Sequence, residues 1–134
     1  MTASTLDRNP QRKITLDTQV IPLKTNAVIP EGVLVMVNTP STGADNAADV
    51  AGAIVVGLSN QAANQTLGDS KITVDHTVTL LLNGGHITSA HVGINACVVD
   101  NQTVDLAANT TNAIVAGKIR EVNSDGVFVA VGVP

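Results

Sequence analysis

The chain has 134 residues, 44% of them apolar and 1% aromatic, and a formal net charge of −4. That length suits a single domain able to bury roughly two-thirds of the surface its unfolded form exposes. One phenylalanine, no tryptophan or tyrosine and an acidic balance leave neither the stacking platform nor the basic footprint of a nucleic-acid binder.

The apolar residues are nearly all Val, Ile, Leu and Ala, so the core must be aliphatic, and β-branched side chains with many Thr, Asn and Gly favour strands and turns. With one cysteine, Cys97, no internal disulfide can form. The N-terminus lacks the apolar stretch of a secretory signal, and no run approaches the ~20 apolar residues of a membrane helix. A cytosolic product with no membrane partner is expected.

Residues 1–12 are polar and contain Pro10, which reads as an extended N-terminal arm ahead of one β domain over residues 13–134. Arg8, Arg12 and Lys13 supply three of the seven basic residues, so the first thirteen residues sum to +2 (3 − 1) and the remainder to −6 (4 − 10). Such an arm is either a solvated tail or a segment that docks on an acidic neighbour.

Over residues 13–21, Ile14, Leu16 and Val20 alternate with Thr15, Asp17 and Gln19, the period-2 pattern of a strand with one face buried, which Pro22 ends. Residues 26–29 predict a short strand, Pro30 to Gly32 a turn, and 33–38 another strand. Residues 39–50 and 60–70 are polar and turn-rich, hence loops, on either side of a buried strand over 52–59.

The strongest pattern covers residues 71–83, where Ile72, Val74, His76, Val78, Leu80 and Leu82 share one face while Lys71, Thr73, Asp75, Thr77 and Thr79 share the other. A helix cannot produce that alternation. Residues 88–92 predict the one short helical turn, with Thr88 or Ser89 as N-cap and Gly93 as stop.

Residues 95–100 and 103–107 have the spacing of a hairpin, and 113–122 with 127–133 form a second around Asn123 to Gly126, with Val127, Val129, Val131 and Val133 on one face. The expected fold is therefore all-β, a compact single-domain barrel or sandwich of about eight to nine short strands.

No nucleophile elbow, phosphate loop, dinucleotide fingerprint or HExxH helix occurs in the chain. His76 interrupts an apolar strand face and reads as a buried, hydrogen-bonded imidazole or an interface residue before a catalytic base. His86, His91 and Asp100 offer metal-ligand chemistry, but their spacing lacks the tight ligand pairs of a zinc site. Asp45, Asn46 and Asp49 miss the calcium-loop pattern, and Cys97 has no activating base assignable from sequence. No catalytic, cofactor-binding or metal residue is assigned, and an enzyme is not expected.

Two strings go further than composition does. SAHVGINACVVDNQTVDLA (residues 89–107) and AGKIREVNSDGVFVAVG (residues 116–132) resemble the C-terminal half of a family of small tailed-phage and prophage head decoration, or capsid cement, proteins. In that family a "xAxxGxxxyvvDdqTV" stretch precedes an "AGkvxxVdxdGVwV" ending. DRN at residues 7–9, IVVGL at 54–58 and Gly-Asp-Ser at 68–70 add to the likeness. Cys97 falls where the family often has an aromatic residue, and Phe128 where tryptophan is common.

The resemblance implies a structural virion protein on the capsid surface, a homotrimer at three-fold and quasi-three-fold positions whose partner is the major capsid protein, with no cofactor. On that reading the arm is a tether, with Arg8, Arg12 and Lys13 as capsid contacts. The alternatives are another virion component, such as a tail or host-surface module, and a small metal-dependent hydrolase.

Overall fold

The computed structural model describes residues 3–8, 10, 12–38 and 42–132, the side chains of 12–16 excepted. These residues hold eleven strands: β1 (Arg12–Pro22), β2 (Val28–Ile29), β3 (Leu34–Asn38), β4 (Asp45–Asn46), β5 (Ala53–Ser59), β6 (Ala63–Asn64), β7 (Lys71–Asn83), β8 (Asn95–Val98), β9 (Thr103–Asp105), β10 (Val115–Asn123) and β11 (Gly126–Val131). Three of them span only two residues, which leaves eight of substantial length. The protein is an all-β domain. No helix among the described residues is long and apolar enough to cross a membrane.

β7, whose ends fall where the alternation places them, is the spine. β1 and β11 both pair with it around residues 77–79, so they occupy opposite edges. β5 takes up the β11 edge at Val74 and Asp75, and β9 the β1 edge at Leu82 and Asn83. The C-terminal half of β7 then closes a five-strand barrel through β11, β10, β8 and β9 back to itself. A barrel closed in this way has no free edge of its own.

Cross-strand register decides which face points inward. Val127, Val129 and Val131 stand opposite Leu81, Thr79 and Thr77, and all six are buried. The threonine-bearing face of β7 therefore lines the barrel, where those valines, Leu81, Ala96, Val98 and Ile119 share the main core. The apolar face of β7 serves two smaller cores. Ile72 and Val74 pack with Ile21, Ile29, Val33 and Val35, while Val78 packs with Phe128 and Ala130 on the outside of the barrel. Val133 lies outside the described residues.

β3 and β4 extend the sheet beyond β5, and β2 and β6 form a separate two-stranded ladder. β1 pairs only with β7 among the described strands, so its outer edge carries no strand. Two register shifts interrupt β1, between Arg12 and Ile14 and between Thr15 and Asp17. Bulges of this kind blunt an edge against indiscriminate pairing.

One helical turn was expected, and three 3-10 turns are found, at Gln65–Leu67, Ser89–His91 and Ala107–Asn109. The second is the expected one: Thr88 caps it from the side chain, and His91 reaches back to the Thr88 amide. The first carries a comparable signature that lay within the expected loop, with Asn64 as side-chain cap and Gly68 left-handed at its end.

Candidate docking face

The N-terminal arm lies against the body. The Ser4 amide donates to Asn101 Oδ1 at 2.7 Å, and Asn101 Nδ2 returns a 2.9 Å bond to the Ser4 carbonyl. Further along, the Glu31 amide donates to Asp7 Oδ1 at 2.9 Å, and the Arg8 amide to the Glu31 carbonyl at 2.7 Å. Arg8 Nη1 then donates to the Gly32 carbonyl at 2.9 Å, with Nη2 3.4 Å from the Leu80 carbonyl. Gly32 makes the close approach possible. Its φ is +79°, and a Cβ there would stand 2.6 Å from the Arg8 carbonyl oxygen and 2.7 Å from Pro10 Cδ.

This changes what the three basic residues can do. Arg8 is half-buried, with its guanidinium committed to backbone carbonyls of its own chain, so a capsid contact through Arg8 would first have to break those bonds. Arg12 and Lys13 open β1, and their side chains lie outside the described residues, as does Asn9 of the DRN string.

The arm also builds a pocket. A cavity of about 220 Å³ is lined by Thr5 and Asp7 from the arm, Val28 to Pro30 from β2 and the residue after it, and Ala62, Ala63, Asn64 and Asp69 around β6. Its floor is apolar, and two carboxylates stand among its walls. Asp69 Oδ2 accepts from the Asn64 amide at 2.8 Å, much as Asp7 caps Glu31.

The remaining candidates are dispersed. His86 Nδ1 sits 2.8 Å from Oδ2 of the buried Asp105, whereas His91 Nδ1 accepts from the Thr88 amide at 2.9 Å. Asp100 Oδ1 accepts from the Gln102 amide at 3.0 Å within its own turn. The metal-site geometry considered for His86, His91 and Asp100 is not formed, and no group of three His, Cys, Asp or Glu among the described residues is placed to hold a metal ion. His76 is partly buried, with Nδ1 3.7 Å from Asp17 Oδ2 across the β1–β7 pairing.

The acidic loop is a structural staple. Asp49 accepts from the Thr111 amide at 2.7 Å and the Asn112 amide at 2.9 Å, while Asn112 Nδ2 donates to the Asp49 carbonyl at 3.0 Å. Partial burial opposes the ionised form, but these donors outweigh it and hold the Asp49 carboxyl below its ordinary value. Asp45 lies 3.7 Å from Lys24 Nζ, and Asn46 Nδ2 donates to the Val28 carbonyl at 2.8 Å. Cys97 is buried in β8, where desolvation first, and the negative charge of Asp49 second, push its thiol above the ordinary value and away from reactive thiolate.

Sequence reasoning missed Asn101 as an anchor of the arm and Asp105 as the partner of His86. Asn101 reads as a turn residue and Asp105 as a strand residue, and no spacing rule links either to a group 19 to 97 positions away. Comparison with protein-family models, curated proteins and solved structures found no match to this chain.

Proposed function

We propose that this chain is a structural virion protein, a decoration protein that binds the assembled head of a tailed phage and stabilises contacts between major capsid subunits. The observation that carries the reading is the resemblance over residues 89–107 and 116–132. Those strings cover β8 to β11, four of the five barrel strands.

The residues in them do structural work. The Leu34 amide donates to the Asn101 carbonyl and the Leu82 amide to the Gln102 carbonyl, both within 2.9 Å, so the DNQ turn joins β3, β7 and the arm. A rigid body of this kind suits a part whose work is to bridge neighbours and not to transform a substrate.

Short of Pro22, whose carbonyl accepts from the Ala44 amide, the outer edge of β1 carries no strand among the described residues and would take an added capsid strand, with Arg12 and Lys13 at its start to meet acidic residues. A trimer on each site multiplies one weak contact into stable attachment. A ligand that binds only the assembled, expanded shell stabilises that state by mass action.

The test is co-sedimentation of the purified protein with expanded and unexpanded heads that lack it. Saturable binding to expanded heads, with unexpanded heads left bare, is expected. Equal binding to both, or none to either, overturns the reading.

A further inference from the structure

The pocket between the arm and the β2–β6 ladder plays no part in the docking just described. About 220 Å³ is below the range of about 300–1,000 Å³ typical of cofactor and drug-sized ligand sites. One amino-acid side chain is the scale of object it holds. The lining specifies which kind. Val28, Pro30 and Ala63 give an apolar floor, and Asp7 and Asp69 give two negative charges. Each carboxylate spends one oxygen on a backbone amide, and neither is paired with a cation among the described residues.

Val28 lines the pocket and is 51% exposed, so apolar surface stands open to solvent within the concavity. Exposed apolar surface inside a concavity, with polar groups around it, marks a recognition site more than scattered exposure does.

From this combination we infer that the pocket receives an arginine or lysine side chain presented by a neighbouring polypeptide. The aliphatic stem of such a side chain covers the apolar floor while its cation stays at the wet, acidic wall. Arginine fits best, because its planar fork of five donors matches carboxylate geometry in a way that a compact ammonium does not. A hard metal ion fits poorly: calcium takes six to eight oxygen ligands, and an apolar floor supplies none.

The chemistry of the pocket does not depend on the capsid reading; only the identity of the neighbour as the major capsid protein does. The experiment therefore uses no heads. Blocked arginine (acetyl-arginine methylamide) is titrated into the full-length, isotope-labelled protein while backbone amide shifts are followed. Blocked lysine, blocked norleucine and calcium chloride are run in parallel.

Saturable shifts confined to Val28, Asn64, Asp69 and their neighbours are expected, with a Kd in the range of about 1–50 mM suited to one side chain. Lysine should act at the same amides, and norleucine at least about tenfold more weakly. A double variant, Asp7→Asn with Asp69→Asn, keeps an acceptor for each backbone amide while removing both charges. It should weaken arginine binding at least about fivefold. If that variant fails to fold, salt replaces it as the readout, because about 0.5 M sodium chloride should weaken arginine at the same amides and leave norleucine unchanged.

No saturable shift at these amides overturns the proposal. So does norleucine binding as well as arginine, an unaltered affinity in the folded double variant, salt-insensitive arginine binding, or calcium binding there more tightly than arginine. Failure here leaves head binding untouched, and failure of head binding leaves the pocket intact.

Discussion

Replacing Gly117 by alanine is expected to lower the unfolding free energy by about 2–4 kcal/mol, through overpacking added to backbone displacement. Gly117 sits in β10 between Val131 of β11 and Ala96 of β8, next to a register shift in the β8 pairing. A Cβ built there overlaps the Ala130 carbonyl oxygen and stands 3.1 Å from Val129 Cγ1. The obstacle is backbone in the neighbouring barrel strand, so it cannot swing aside as a flexible side chain would. Either β10 and β11 separate or the barrel loses its closing register. For a domain of this size the cost corresponds to a fall in Tm of about 10 °C. Gly85→Ala is the control. Its φ is also positive, at +116°, but nothing lies within 4 Å of the added carbon, so about 1 kcal/mol is expected from conformation alone. Parallel thermal melts check the comparison, and equal losses in the two variants would remove the close-approach argument.

Asn101→Ala has the second largest expected effect, about 2–3 kcal/mol, because it deletes a buried amide and strands its partners. Asn101 is 1% exposed and bonds the Ser4 backbone from both ends of its side chain, with Nδ2 also 2.9 Å from Asn46 Oδ1. The backbone carbonyl of residue 101 still accepts from Leu34, so the turn itself should survive. What should change is the arm. Amide hydrogen exchange at residues 4–6 is expected to rise toward the unprotected rate while Arg8, tied independently to Glu31 and Gly32, keeps its protection. Unaltered exchange at Ser4 would show that the arm is held by something other than this asparagine. The asparagine that seats the arm at Ser4 lies within the DNQTV string of the resemblance.

Local patterning made some of this architecture legible. The bounds of β7 followed from its alternation, and the β10–β11 hairpin from Asn123 to Gly126, where Asn123 Oδ1 accepts from the Asp125 amide. Which face of β7 points into the barrel did not follow. Alternation marks Ile72 to Leu82 as the apolar face, yet Thr77 and Thr79 are fully buried because β11 lays Val131 and Val129 beside them. Inward direction is set by non-local pairing, which no period within one strand encodes. β2 falls within the strand expected over residues 26–29, whereas β4 and β6 were invisible for a simpler reason, since two residues in a polar loop carry no period. At the docking face, the sequence marked the basic cluster but not that Arg8 turns inward to carbonyls at positions 32 and 80. Asp7 and Asp69, 62 positions apart, became a pair only when the arm folded over the β2–β6 ladder.

Arg12 and Lys13 lie on one strand, and the acidic pocket lies where the arm crosses the body; under the two proposals taken together, a neighbour with both an acidic edge and a basic side chain would be held at two points. Opposed charges at separate points fix orientation more than they add affinity.

The decoration role is tested most directly by the copy number of this chain in purified virions, counted by quantitative mass spectrometry against the major capsid protein. Trimers filling every three-fold and quasi-three-fold position require about one copy per major capsid subunit. That ratio is the expected result; a few copies per particle, as for a tail component, or none at all would contradict the account.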